Sequence, residues 1–457
     1  MAIQTYNPTT DTVLQTYDAL TKEELEQKLA TADVAYTKWR LTSYAKRSQC
    51  LNAAAAHLRS HLDEYAGLVV TEMGKPIKAA RGEIEKCAKV CEYYATHGPQ
   101  FLSHDTRPTD AKEAFVRYDP IGPVLAVMPW NFPFWQVMRF AAPALMAGNV
   151  GLLKHASNVP QCALAIEETF RAAGVPAGGF TTLLIDSKTV AAVIEDPRVA
   201  AVTLTGSEAA GASVAATAAS VIKKSVLELG GSDPFIVRAD AKVETVAAQA
   251  ATARFQNCGQ SCIAAKRFIV HESIATEFTK AFVAATEALV LGDPADEKTD
   301  IGPMVDMNAR EMILKQIETT VAAGGVLETG GTIPDRAGAF ITPAIVSGVT
   351  AGMPLYEEET FSPAAAVITV KDDEEATAVA NDTPFGLGAS IWTADLEAAK
   401  AMAAAIDSGS VFINTIVVSD INVPFGGVKR SGYGRELSEE GIKEFVNVKT
   451  VKVNPAG

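Results

Sequence analysis

The chain has 457 residues, 48% of them hydrophobic and 21% charged, enough for two or three domains with cores of their own. Its 54 acidic and 40 basic side chains give a net charge of −14, and no Lys/Arg block supplies a face for nucleic acid. No apolar run reaches the ~18–20 residues of a membrane span, and six irregularly spaced cysteines form neither a disulfide framework nor a paired zinc motif.

The N-terminal MAIQTYNPTTDTV lacks the basic-then-apolar pattern of a signal peptide, so a reduced, cytoplasmic protein is expected. The six histidines are scattered; His57 and His61 share a helix face without an acidic ligand and read as solvated, so no metal is expected.

The first hundred residues read as mostly helical. Thr21 and Glu24 form a capping box before an amphipathic run, and helices are predicted over 48–71 and 77–96. EAFVRYDP and VLAVMPW then read as strands, the second of them buried.

From there strands and helices alternate. GNVGLLK leads to a helix starting near Pro160, FTTLLI follows, and VAAVTLTG runs into a small-residue helix from Ser207. KKSVLELGGSDPFIV holds two short strands; KRFIVH, a helix through TEFTKAFVAATEAL, PAAAVITV and ASIWT continue the rhythm. Such alternation predicts βαβ units, mostly parallel sheets and two α/β domains meeting near Leu229. The C-terminal KEFVNVKTVKVNP alternates like an edge strand.

One stretch stands out chemically. FQNCGQSCIAAKR carries Cys258 and Cys262, the second in a small polar turn where a thiol stays accessible to substrate. Five other segments fit a nucleophilic thiol. MPWNFPFWQVMR offers Asn131, whose amide can donate to a developing oxyanion. LELGGSDP offers Glu228, a carboxylate able to act as a base toward water. TLTGSEAAG puts Gly206 and Ser207 at a strand-to-helix turn suited to a pyrophosphate. Lys154 in LKHASNVP could hold ribose or phosphate, and Glu359 and Phe361 in EEETFSP could bracket a ribose and an aromatic ring. Alone, each segment also reads as an ordinary turn.

Together PWNFP, TGS, LELGGSDP, FQNCGQSC, EEETFSP and PFGGVKRSGYGRE resemble the aldehyde dehydrogenase superfamily in order and spacing, over nearly the whole chain. Within it the chain looks most like the succinate-semialdehyde branch, through WNFPFWQVMRFAAPALMAGN.

The resemblance implies an α/β fold with two doubly wound domains and a small β-ribbon. The cofactor domain would span 1–112 and 128–228, the catalytic domain 229–436, and the ribbon 113–127 with 437–457. The ribbon would pair between subunits, giving a homodimer or a dimer of dimers.

It also implies roles. Cys262 is the nucleophile, Asn131 holds the oxyanion with the cysteine's own N–H, and Glu228 activates the water that hydrolyses a thioester left after hydride transfer. Trp130, Lys154, Ser157, Gly206, Ser207, Glu359 and Phe361 fall on cofactor positions. Ser157 stands where many NAD-preferring members carry a Glu, which favours NADP, with NAD weaker. Ser362 replaces the usual Gly of its motif, and Gln256 stands where some semialdehyde enzymes have an arginine. Arg139, with Ser419, is then expected to read the substrate carboxylate. The regulatory second cysteine of some relatives is Ala264 here, leaving a Cys258–Cys262 disulfide as an open alternative. The expected reaction is oxidation of succinic semialdehyde; the alternatives are another small aliphatic or betaine-type aldehyde, or a cofactor-independent thiol esterase.

Overall fold

The computed structural model describes residues 2–455. Two parallel sheets dominate. The first has the order Gly432–Tyr433, Lys224–Glu228, Ala201–Thr205, Pro123–Met128, Val150–His155, Phe180–Thr182, with all but the short first strand parallel. The second runs Val326–Thr329, Ala344–Ser347, Ala364–Val370, Arg267–His271, Pro234–Val237, Gly388–Trp392, Ser410–Ile413, parallel except at its first strand. The chain starts each sheet near its middle and later returns to extend the other side. Both sheets are therefore doubly wound, and ligands of such sheets gather at the C-terminal strand ends where the direction of winding reverses.

The residues explain the elements. The capping box is present: the Thr21 hydroxyl accepts from Glu24 N, and the Glu24 carboxylate accepts from Thr21 N, ahead of the helix Lys22–Trp39. Pro160 opens the helix Pro160–Ala172 at a position where its missing N–H costs nothing. Ser207 caps Glu208–Ser220 through Ala210 N. Helix Trp135–Ala147 is buried on every face, as expected of a mostly apolar core segment, and carries Gln136 and Arg139 inward with it.

Several features depart from expectation. The predicted 48–71 helix is two helices, Tyr44–Ser60 and Leu62–Met73, because His61 leaves helical geometry at φ −114°, ψ 21°. His57 and His61 are half-exposed, and their rings stack at 4.0 Å, with His57 Nε2 2.9 Å from the Tyr65 hydroxyl. The N-terminus forms a hairpin, Ile3–Asn7 with Thr12–Tyr17, whose Gln4 N donates to Ser157 O. Its turn needs Asp11 at φ 56°, which Asp tolerates better than most residues.

Residues 123–127, expected in the ribbon, lie in the middle of the first sheet, where the run is too apolar for an edge. The ribbon itself has three strands, Val446–Val453 against Glu113–Pro120 against Asp105–Thr106. Glu228 and Pro234 end and begin strands of different sheets, so 229–233 is a link. The chain later recrosses: Phe425, Leu437, Ile442 and Phe445 pack in the core of the first sheet.

Candidate active site

The link 229–233 sets the C-terminal ends of the first sheet opposite the start of the second, and Cys262 lies in the loop entering Arg267–His271. A cavity of about 240 Å³ opens there, small for a ligand site and suited to a small molecule. Its walls include Cys262, Asn257, Phe132, Trp135, Arg139, Lys86 and Ser419.

Two glycines allow the approach. A side chain at Gly230 would strike the Glu359 carboxylate, and a Cβ at Gly231 would sit 2.8 Å from Cys262 O. The cysteine loop turns sharply, with Asn257, Cys258 and Gly259 at φ 54°, 55° and 69°; a Cβ at Gly259 would collide with Ser362 O. Ser362 itself has no positive φ, so a serine in place of glycine costs no backbone strain. Its carbonyl instead accepts from Arg254.

Cys262 is partly exposed, and burial pushes its thiol up to about 12, with Lys266 and Arg139 opposing. Lys266 is fully buried and donates to Cys262 O at 2.5 Å and Ser261 O at 2.9 Å, pinning the loop. Cys258 belongs to the other core: its Sγ lies 3.9 Å from Met304 Sδ, and all six cysteines are free thiols. The cysteine pair therefore faces two different cores rather than a shared bridge.

Asn131 follows strand Pro123–Met128. Its Nδ2 donates to Gln260 O at 3.1 Å, which uses one of two hydrogens, and its Oδ1 is buried without a partner. Asn257 Nδ2 donates to both Asn131 O at 2.9 Å and Gln260 O at 3.0 Å, tying the two loops together. Among the described residues the Cys262 N–H donates to no backbone acceptor. Two unspent donors are therefore available beside the thiol.

Glu228 ends strand Lys224–Glu228, buried, with neither carboxyl oxygen hydrogen-bonded. Burial first, then the charge of Glu436, holds its carboxyl well above the usual range, and it lies near enough for its charge to raise the Cys262 thiol. A carboxyl without partners in a dry site is a poised proton acceptor.

Arg139, expected to read the substrate carboxylate, lines the cavity and is not free of partners within the chain. In the structure Arg139 is ion-paired with buried Glu436, lies 4.6 Å from the Phe425 ring, and reaches Thr205 Oγ1 at 3.5 Å. Its charge is already balanced within the chain. Glu436 stands in the PFGGVKRSGYGRE motif, but nothing in one dimension pairs it with a residue almost 300 positions earlier. Gln256 lines the same cavity, and Ser419 accepts from Lys86 and from Trp135 Nε1.

The proposed cofactor positions cluster on the first sheet at the reversal of winding. Trp130 follows the central strand, Lys154 lies near the end of its neighbour on one side with Ser157 just beyond, and Gly206 and Ser207 follow the neighbour on the other. Lys154 is buried with no carboxylate in ion-pair range among the described residues, so its ammonium stands desolvated and its pKa is lowered. Glu359 accepts from Gly231 N at 3.0 Å, and Phe361 meets Trp130 edge to face at 5.8 Å. An unspent buried cation, a capped helix start and aromatic walls fit a dinucleotide. Glu208 in that helix's first turn is paired with Arg430 at 2.7 Å, which offsets its charge near a phosphate.

Comparison with known proteins agrees with this geometry. The model of the aldehyde dehydrogenase family matches residues 1–451. A Synechocystis protein named "Probable succinate-semialdehyde dehydrogenase [NADP(+)]" is 52% identical over 451 residues, covering 99% of both chains. Succinate-semialdehyde dehydrogenase [NADP(+)] 1 of Mycobacterium tuberculosis is 50% identical over 454 residues, again covering 99% of each. The crystal structure of succinic semialdehyde dehydrogenase from Streptococcus pyogenes with NADP+ superposes with a TM-score of 0.97 at 40% identity, covering 99% of this chain and 100% of that one. With the match running almost end to end, this chain belongs to the aldehyde dehydrogenase family.

Proposed function

We propose that this chain oxidises succinic semialdehyde to succinate with NADP, using Cys262 as nucleophile, Asn131 as oxyanion donor and Glu228 as base. What supports the reading is a partly open thiol lining a small cavity, an Asn131 amide tied to the neighbouring loop through Gln260 and Asn257, and a buried, unpartnered Glu228 whose charge acts on that thiol. The names of the relatives at 50–52% identity support the substrate and the cofactor.

The residues suggest the sequence of events. Burial opposes charge on both the Cys262 thiol and the Glu228 carboxyl, so each must release its proton to solvent before it acts as nucleophile or base. The Cys262 thiolate, its proton released to solvent, forms an S–C bond to the aldehyde carbon, and the carbonyl π electrons pass to the oxygen, which becomes an alkoxide. The second Asn131 Nδ2–H and the Cys262 N–H would hold that oxygen; one such donor is worth ~3–4 kcal/mol. The bound dinucleotide supplies the hydride acceptor that leaves an acyl thioester on Cys262. Glu228 then takes a proton from water, whose oxygen attacks the thioester carbon, and succinate leaves as the thiol is reprotonated.

Trp130, Lys154, Ser157, Gly206, Ser207, Glu359 and Phe361 would hold the dinucleotide. Ser157 offers no negative charge to repel a 2′-phosphate, and Lys154 offers a nearby cation. A thiol esterase is disfavoured because no histidine lines the cleft. Steady-state rates for succinic semialdehyde, butanal and betaine aldehyde, each with NADP and NAD, test the reading. Highest kcat/KM with succinic semialdehyde and NADP is expected; equal rates without any nicotinamide cofactor would refute it.

Assembly through the ribbon belongs to the same reading. Among the described residues the outer edge of Val446–Val453 pairs with no strand, and Val448 and Val453 are exposed on it, an edge suited to a second copy. A homodimer or a dimer of dimers in the cytoplasm is proposed, and sedimentation equilibrium of a Thr450→Pro variant tests it. Loss of assembly is expected; an unchanged mass would refute it.

A further inference from the structure

Among the described residues no histidine lines the cleft to take the Cys262 proton, and burial works against a thiolate there. The charged groups that bear on the sulfur come from four elements. Lys266 and Arg139 favour its ionisation, Lys266 the more strongly, while Glu359 and Glu228 oppose it. Arg139 shares its charge with Glu436 in a buried ion pair. Lys266 is held differently.

Lys266 stands just before strand Arg267–His271, and its side chain turns back into the loop that precedes it. Nζ donates to Ser261 O at 2.9 Å and to Cys262 O at 2.5 Å. The side chain is fully buried, and the backbone is fixed too, with its N donating to Asp233 O at 3.0 Å. Among the described residues the one carboxylate in ion-pair range is Glu359, at 4.0 Å, and that carboxylate accepts from Gly231 N instead. Asp233 is a second acid nearby, but burial raises its carboxyl to about 7, so near neutral pH its charge is partial. Arg254 repels Lys266 from the other side. Lys75, the other buried lysine of the region, holds its Glu83 directly.

An ammonium has three hydrogens. Two are spent on the nucleophile's own loop, and among the described residues the third meets no acceptor. A buried cation held mainly by carbonyls lacks a full counter-charge. Burial lowers its pKa, and Glu359, Asp233 and an ionised Cys262 all work to keep it charged. The anion that completes this site is the one the reaction needs, a thiolate on the residue whose carbonyl Lys266 already holds. Because ammonium and sulfur share one short loop, that loop fixes their separation.

We propose that Lys266 is a positioning residue for the nucleophile: its ammonium, anchored on the Ser261 and Cys262 carbonyls, is the fixed positive charge that favours the Cys262 thiolate. On ionisation the S–H proton passes to solvent and Lys266 keeps its own, so it acts by charge and not as an acid or base. This deepens the function proposed above and rests on Cys262 being the nucleophile.

The test is the ultraviolet absorbance of the thiolate against pH, with Cys262→Ala as the blank, and the rate of iodoacetamide alkylation at Cys262. Both are read in wild type, Lys266→Met, Lys266→Gln and Lys266→Arg. Methionine removes charge and donors, glutamine removes the charge but keeps an N–H for the carbonyls, and arginine keeps both. The thiolate inflection should rise by about one pH unit or more in the Met and Gln variants. A thiolate fraction about tenfold smaller, offset by the greater nucleophilicity of a more basic thiolate, should slow alkylation roughly threefold at each pH below the inflection. Lys266→Arg should return both readouts to near wild type. Should Lys266→Met not fold, Lys266→Gln reads the same charge. An inflection unmoved in the neutral variants overturns the proposal. So does one raised as far in Lys266→Arg, since loop geometry would then be the cause. Turnover that survives complete alkylation of Cys262 overturns the functional reading and the proposal with it. An enzyme that alkylation inactivates, but whose inflection ignores the Lys266 charge, overturns the proposal alone.

Discussion

Glu436→Gln separates two jobs of one buried charge. Glu436 neutralises Arg139, and its negative charge is the second-largest cause, after burial, of the raised Glu228 carboxyl. Replacing it with an isosteric amide leaves the Arg139 guanidinium, 2% exposed, without its anion, and breaking such a pair typically costs ~3–5 kcal/mol. That is a large part of the ~5–15 kcal/mol that holds a folded protein together, so unfolding in urea should begin at distinctly lower concentration. The second effect has a fixed sign. Removing the negative charge and releasing the positive one both favour ionised Glu228. Two unit charges several ångströms apart at an effective dielectric near 20 interact by about 2 kcal/mol, so a shift on the order of one pH unit is expected. The assay is the rate of thioester hydrolysis against pH, measured after a single acylation. The acidic limb should move to lower pH in Glu436→Gln. An unmoved limb, or one displaced to higher pH, would show that Glu436 does not tune the base.

Three further outcomes follow from particular side chains. Ser157→Glu should shift the kcat/KM ratio toward NAD by about 5- to 30-fold, the effect of one to two kcal/mol on a 2′-phosphate; a ratio that stays put would remove Ser157 from the ribose site. Cys258→Ala should keep aldehyde oxidation and lose roughly 1 kcal/mol of stability, since Sγ packs beside Met304 in the second core; loss of activity equal to that of Cys262→Ala would contradict the separate roles. His155, buried with Nε2 donating to Pro133 O and Nδ1 accepting from Ala156 N, has its pKa pushed down to about 4. Its folded pKa is below the unfolded value near 6.5, so the stability it contributes is complete above that pH and is lost as pH falls toward 4. Between pH 7 and 4.5 the wild type should lose ~2–3 kcal/mol more than His155→Gln in urea unfolding; parallel losses would refute the assignment.

Local physics made much of this molecule readable in one dimension. The Thr21/Glu24 box, Pro160 at a helix start, Ser207 as a cap and the strand runs around Glu228 and Arg267 each announce their structure within a few residues. The chemical segments were legible for the same reason: they are short motifs whose glycines and polar groups have local purposes. What stayed hidden depends on distant partners. Arg139 meets Glu436, Lys86 meets Ser419, and Asn257 ties Asn131 to Gln260; these pairings arise from two sheets facing each other, not from sequence spacing. Lys266 in particular sits in a run that reads as an ordinary strand start, and only the structure reveals that its ammonium lies buried on the Ser261 and Cys262 carbonyls. The N-terminal hairpin was equally hidden, since its Gln4 N bonds to Ser157 O more than 150 residues away.

The central claim is that Cys262 carries the acyl group and Glu228 releases it. Rapid mixing of Glu228→Gln with succinic semialdehyde and NADP, followed by acid quench and peptide mass spectrometry, tests both halves at once. One equivalent of reduced cofactor per subunit, little further turnover and a succinyl thioester on the peptide containing Cys262 are predicted. Sustained turnover close to wild type, or an acyl group found on any residue other than Cys262, would contradict the account.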